Sequence, residues 1–151
     1  MREIAFNELT ALVGTTMGTS DWWLVDQERI NQFAQATGDF QWIHVDVERA
    51  RASKFGTTIA HGYLTLSMLA GMRFQTFDVT RINMAVNYGM NKVRFLTPVP
   101  SGSRTRAVFE LISANPRSDG GLECTFKATV ELENATKPAC IAETMTVYYP
   151  G

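Results

Sequence analysis

Residues 122–133 read Leu122-Glu123-Cys124-Thr125-Phe126-Lys127-Ala128-Thr129-Val130-Glu131-Leu132-Glu133. In an extended chain Leu122, Cys124, Phe126, Ala128, Val130 and Leu132 fall on one side, and the polar residues between them on the other. Alternation of period two marks a strand in an antiparallel sheet with one dry and one wet face. The rhythm also occurs upstream, where Thr105, Ala107, Phe109 and Leu111 alternate with Arg104, Arg106, Val108 and Glu110. Ile82 to Tyr88 and Lys92 to Phe95 flank Gly89-Met90-Asn91, a predicted bend or bulge. Ile141, Met145, Val147 and Tyr149 predict a last strand. Turn residues at 115–121 and 134–138 let these strands run as an antiparallel meander.

A dry sheet face needs cover. Between Tyr63 and Phe74, the residues Leu64, Leu66, Met68, Leu69, Ala70, Met72 and Phe74 leave a helix almost no solvated side. Such a helix belongs inside a fold. Gly62 and Gly71 weaken its propensity, and a glycine at its start permits close approach of another group. Further upstream, Trp22 to Val25 reads as a short strand. Asp26 caps a helix, with Val25 and Ile30 spaced as a hydrophobic staple. Ile30, Phe33, Ala34 and Thr37 form its mainly apolar stripe, and Gly38 ends it in a left-handed conformation. A short helix is predicted over 46–52. The expected architecture is α+β: a curved antiparallel sheet around a buried helix, in one domain over residues 1–151.

Hydrophobic residues make up 45% of the chain and charged residues 19%, which excludes a mostly disordered protein. Fourteen basic against 15 acidic residues give a formal net charge of -1, so a global basic field for gripping nucleic acid is absent. A local basic patch for a ligand with a few phosphates is compatible with that balance. The two cysteines, Cys124 and Cys140, do not make a disulfide framework. Cys124 sits among apolar residues and reads as a buried thiol. No run of 18 apolar residues occurs and the start has no apolar signal core, so a soluble cytoplasmic protein without a membrane span is expected.

His44 and His61 are the only histidines, and neither has a metal-ligand partner at short motif spacing. Nucleophile elbow, phosphate loop and dinucleotide fingerprint are missing. What remains is local. Asp39 lies five residues before His44, just past a helix end, in Thr37-Gly38-Asp39-Phe40-Gln41-Trp42-Ile43-His44. A loop can bring both into one cavity and hold a water, with His trading protons near neutral pH. The plainer alternative is that Asp39 caps backbone and His44 packs at an interface. The second candidate is Ala60-His61-Gly62-Tyr63. Free amides at a helix start stabilise a developing oxyanion, unless Gly62 only relieves crowding.

These elements together resemble the MaoC-like, (R)-specific enoyl-CoA hydratase family, hydratase 2. Phe33, Gly38, Asp39, Ile43, His44 and Ala50 fill its signature, and Ile59-Ala60-His61-Gly62 matches its later aliphatic-x-His-Gly element. Ser20-Asp21-Trp22, Gln41 to Asp46 and Asn87 to Phe95 are similar to its nodulation-protein-N-like branch. Two positions depart from the family pattern. Gln41-Trp42 replaces the usual Asn-Pro, and Ala70 stands where some hydratases carry a serine, with Ser67 and Thr65 as nearby hydroxyls.

The resemblance implies a hot-dog fold, a homodimer, and reversible hydration of a trans-2-enoyl-CoA to an (R)-3-hydroxyacyl-CoA. It assigns water activation and proton delivery to Asp39 and His44, thioester-oxygen binding to the Gly62 N–H, and loop support to His61. It implies no cofactor and no metal. Coenzyme A phosphates would call for local cations, with Lys54, Lys92 and Arg94 as candidates. Met68, Met72, Met84 and Met90 could line an acyl tunnel or simply pack the core. The alternatives are a hot-dog acyl-CoA thioesterase, a non-catalytic acyl-CoA or acyl-carrier binding protein, and a structural dimerisation module.

Overall fold

The structure, a computed structural model, describes Met1–Gly151. Its order is β1 (Arg2–Ala5), a 3-10 helix (Phe6–Leu12), β2 (Thr16–Thr19), β3 (Trp23–Val25), α1 (Gln27–Thr37), α2 (Trp42–Val45), α3 (Val47–Arg51), α4 (Gly62–Thr76), β4 (Phe77–Thr80), β5 (Ile82–Phe95), β6 (Ser103–Pro116), β7 (Leu122–Leu132) and β8 (Cys140–Pro150). A six-stranded antiparallel sheet runs β2-β6-β7-β8-β5, and β3 shares the β2 edge of β6. β1 and β4 form a separate parallel pair.

The alternation read from β7 sets the inner face. Leu122, Cys124, Phe126, Ala128, Val130 and Leu132 are all buried, as are Thr105, Ala107, Phe109 and Leu111 of β6. These residues share one apolar core with Leu64, Met68, Leu69 and Met72 of α4. On the wet face the Arg106 guanidinium pairs across the strands with Glu131 at 2.6 Å, and Arg104 pairs with Glu133. Burying apolar area at about 25 cal/mol per Å² is the main force holding α4 in the sheet, and these exposed ion pairs contribute little.

Three features qualify the sequence expectation. First, the core-facing residues of β8 are the even ones, Cys140, Ala142, Thr146 and Tyr148, which pair in register with the even residues of β7. Apolar Ile141, Met145, Val147 and Tyr149 belong to the other face. Second, Gly89-Met90-Asn91 carries the expected bulge without splitting the strand. β5 is continuous and absorbs its irregularity as register shifts near Asn87–Gly89 and Met90–Val93. Third, α4 is not enclosed all round. Tyr63 and Phe74 are 70% and 59% exposed, and they face outward with Ser67 and Ala70.

Gly71 has a packing reason. A Cβ there would stand 2.5 Å from Cη2 of Trp23, so the missing side chain lets the indole lie directly on the helix. The indole N–H then donates to Gln75 Oε1 at 2.7 Å. No helix is long and apolar enough to cross a membrane.

Candidate active site

The site is assembled where α1 ends, α2 begins and α4 starts. Asp26 caps α1 by accepting from Arg29 N at 2.9 Å, and Gly38 closes the helix at φ 79°, its N–H donating to Ala34 O at 2.8 Å. A residue with a Cβ would be strained there. The left-handed turn throws Asp39 outward, and its carboxylate accepts from Gln41 N at 3.2 Å. One turn of α2 then carries His44 inward, where it is buried. Ala50 on α3, the last residue of the signature, is fully buried.

Two straps fix His44. The Ile59 N–H donates to Ile43 O at 3.0 Å, and His44 Nδ1 lies 2.6 Å from Ile59 O. A carbonyl only accepts, so Nδ1 carries the proton and Nε2 keeps a free lone pair. Gln27 donates to His44 O at 2.8 Å and takes the Thr58 hydroxyl on its own oxygen. His61, the N-cap of α4, stacks on His44 with ring centroids 3.9 Å apart and planes 24° apart. Its Nε2–H donates to Asp39 O at 3.0 Å, and Phe33 packs against its ring at 4.9 Å. That leaves His61 Nδ1 buried with no partner.

Asp39, His44 and His61 therefore present three ligand atoms within 4.8 Å of one another. Such a cluster can hold a water or a small cation. Burial, the largest influence, pulls the His44 imidazole below its ordinary pKa. The bond to Ile59 O and the Asp39 charge push the other way, while His61 adds to the lowering. His44 is thus a neutral base near pH 7.

The Gly62 N–H opens α4 and has no acceptor within the chain. A Cβ at Gly62 would meet the Phe95 ring at 3.2 Å, so the glycine allows β5 to lie against the helix start. β5 then runs back along α4 towards Ile82.

The other expected residues are more scattered. Lys54, Lys92 and Arg94 are all exposed. Lys54 sits 5.2 Å over the Phe55 ring, Arg94 donates to Val93 O beside Phe95, and Lys92 lies in the irregular part of β5. Of the four methionines offered for an acyl tunnel, only Met90 lines the cavity beside α4. Met68 and Met72 face the core, and Met84 points to the outer face opposite Tyr149. Ala70 and Ser67 line that cavity, but the Ser67 hydroxyl is spent on Tyr63 O at 2.7 Å. Thr65 is buried away from it. The His44–His61 stack was not readable from spacing, because the two residues are 17 positions apart and meet only through the Ile59 strap.

The MaoC like domain family matches residues 8–133. Among curated proteins, 3-hydroxyacyl-thioester dehydratase Z of Mycobacterium tuberculosis is 50% identical over 141 residues, covering 93% of both chains. Nodulation protein N of Rhizobium leguminosarum bv. viciae is 44% identical over 149 residues, covering 97% of this chain and 92% of that one. Among solved structures, the unliganded R-hydratase of Pseudomonas aeruginosa superposes with a TM-score of 0.72 at 19% identity, over 92% of this chain and 83% of that one. The last is a likeness of fold, and the fold is the hot-dog arrangement of helix and sheet. From the matched domain and the two long, well-covered sequence relationships together, this chain belongs to the MaoC-like dehydratase family.

Proposed function

We propose that the protein catalyses reversible, (R)-specific hydration of a trans-2-enoyl-CoA to an (R)-3-hydroxyacyl-CoA. The observation that carries this reading is the convergence of a carboxylate, a neutral imidazole with a free lone pair and an unpartnered helix-start amide. Hydration forms a C–O bond at C3 and a C–H bond at C2, and negative charge builds on the thioester oxygen between those events. Asp39 and His44 hold one water between them, take its proton as the oxygen attacks C3, and return a proton to C2. The Gly62 N–H carries the charge on the thioester oxygen, a role that such donors perform best in a dry, preorganised site. The strapped His44 enters the reaction without reorientation. His61 steadies the Asp39 loop. Lys54, Lys92 and Arg94 would meet the phosphates of coenzyme A, as exposed point charges.

Incubation with crotonyl-CoA tests the reading. Loss of enoyl absorbance without release of free thiol is the expected result. Thiol release would mean hydrolysis instead, and no change in either signal would sink both enzyme readings.

The reading includes a cytoplasmic homodimer. β5 pairs only with β8, so one edge of a 14-residue strand is open beside exposed Met84, Val86, Tyr88 and Met90. Open edges of that length favour pairing, and a two-fold axis would satisfy both copies. Light scattering at micromolar concentration should give twice the chain mass; a fully active monomer would refute the dimer.

A further inference from the structure

Gln27 opens α1 at the end of that helix remote from Asp39, and it lies outside every motif read from the sequence. A polar residue in the first turn of an amphipathic helix ordinarily faces water. Gln27 is half-buried instead, and its amide is nearly filled. Nε2–H donates to His44 O at 2.8 Å and to Asn31 Oδ1 at 2.9 Å, while Oε1 accepts the Thr58 hydroxyl. Both donors and one of the two lone pairs of the side-chain oxygen are therefore engaged. A main-chain carbonyl accepts and never donates, so the end of the amide beside His44 O is the nitrogen.

The His44 segment needs outside support. α2 is one turn of four residues, Trp42–Val45, too short to stand by its own hydrogen bonds. Carbonyls at the end of a helix find no partner within it. The Ile59 N–H donates to Ile43 O at 3.0 Å, and Gln27 supplies the donor for His44 O. The segment that takes Ile43 O also offers Ile59 O to His44 Nδ1–H at 2.6 Å. That segment is itself docked on the loop before β6. Ala60 N–H donates to Val99 O at 2.8 Å, and Ser101 N–H donates to Thr58 O at 2.9 Å. Thr58, beside Ile59, is buried and turns its hydroxyl to Gln27. The bonds thus close a circuit. It runs from Gln27 Nε2–H to the His44 carbonyl, from the His44 imidazole to the Ile59 carbonyl, and from the Thr58 hydroxyl back to Gln27 Oε1.

A ring hydrogen-bonded at one nitrogen is fixed in direction when its own main chain is fixed relative to the acceptor. Gln27 touches both sides of that relation, holding the His44 carbonyl with one end of its amide and the neighbour of Ile59 with the other. We propose that Gln27 is a positioning residue for His44, keeping the imidazole hydrogen-bonded to Ile59 O so that Nε2 is the nitrogen left with the lone pair. It touches no substrate and acts through His44. The proposal rests on the hydratase reading of the site and deepens it by one residue. The plainer role, holding the start of α1 to its neighbours, would affect stability alone.

Long-range proton–nitrogen correlation spectra near neutral pH, paired with crotonyl-CoA kinetics, test the proposal. The chain has two imidazoles to resolve, and His44→Gln assigns them. Native His44 should show the Nδ1–H tautomer and His61 the Nε2–H form. Gln27→Met removes both halves of the bridge at similar size. Gln27→Glu keeps an acceptor for Thr58 but sets an oxygen against His44 O, whereas Thr58→Val spares the bond to His44 O and removes the other. In both Gln27 variants the His44 ring should pass to a mixture of tautomers. Their kcat should fall about tenfold with KM within about twofold, since a displaced catalytic group slows chemistry more than binding. Thr58→Val should show the same changes at smaller size. A native kcat or an unchanged His44 tautomer in a folded Gln27 variant, with only the denaturation midpoint lowered, would overturn the proposal. If neither Gln27 variant folds, Thr58→Val decides by the same two measurements. The spectra need no turnover. A native protein inert towards crotonyl-CoA breaks the hydratase reading and leaves the hold of Gln27 on His44 to be judged from the tautomer. A native protein that hydrates, with Gln27 variants that do so equally well, breaks the positioning role alone.

Discussion

The two ends of α4 are built on opposite plans. At Gly62 the backbone does the positioning: His44 is strapped to Ile59, His61 to the Asp39 carbonyl, and the Asp39 loop hangs from the capped end of α1. The Gly62 N–H and His61 Nδ1 are left without partners there. At Arg73 nothing is strapped: the half-exposed guanidinium rests on the Phe74 and Phe77 rings beside a wide cavity and makes no ion pair. The difference teaches that a site and a cavity wall ask for different construction. A proton-transfer step needs atoms held in advance, whereas a wall needs only packing that leaves room beside it.

The strapped end is where substitution should cost most. Asp39→Asn and His44→Ala should each lower hydration by about 10²–10⁴, the usual worth of a positioned acid–base group. Their double variant should fall by less than the product of the two losses, as expected of two groups sharing one water. Initial rates at saturating crotonyl-CoA, with circular dichroism as a check on folding, decide the point; near-native turnover in either single variant would break the contrast between the ends.

Gly62→Pro removes the amide proposed to meet the thioester oxygen, at the first helix position, where a proline backbone is tolerated but its ring must displace the Phe95 side chain. The expected loss is about 10²–10³ in kcat. A folded variant with full turnover would remove the amide from the mechanism.

The pH response sharpens the same contrast. Because burial lowers the His44 pKa, the unfolded chain takes up a proton near pH 6.5 that the folded chain refuses until lower pH. The unfolded state then binds more protons, so stability should fall as pH drops from about 6.5 through the lowered folded value, and be flat with respect to this group above that window. Denaturant melts across pH should show the slope in the native protein and its loss in His44→Gln. The acid limb of kcat/KM should likewise fall below 6.5; a limb above that value would contradict a neutral, buried base.

Midway along the helix, Gly71→Ala tests packing without chemistry. Its Cβ would stand 2.5 Å from the Trp23 ring, and overpacking of that kind costs about 1–3 kcal/mol. Chemical denaturation should register that cost and Trp23→Leu should relieve it in the double variant.

The smallest effect is expected at the cysteines. Burial pushes the Cys124 thiol up to about 12 and the Cys140 thiol to about 11, so neither is a thiolate at neutral pH. Cys124→Ser and Cys140→Ser should leave turnover unchanged, and native thiols should resist a thiol-specific reagent until the protein unfolds.

By itself the sequence determined the strands, the long helix and the two short motifs, because each is a local pattern. Period-two alternation in β7 and the unbroken apolar run in α4 follow from backbone geometry, and the Asp26 cap and Gly38 stop follow from the hydrogen-bonding needs of helix ends. Asp39, His44 and Gly62 were legible for the same reason: their spacing is short, and it matches a family signature. Only the tertiary structure decided the rest. The inner face of β8 depends on register against β7, since a shift of one residue exchanges its faces. The four-residue strands β1, β2 and β4 are too short for a pattern to declare them. The stacking of His61 on His44 and the indole over Gly71 join residues far apart in the chain. Contacts of that kind exist only once the sheet has closed around the helix and packing has fixed which side chains share a space.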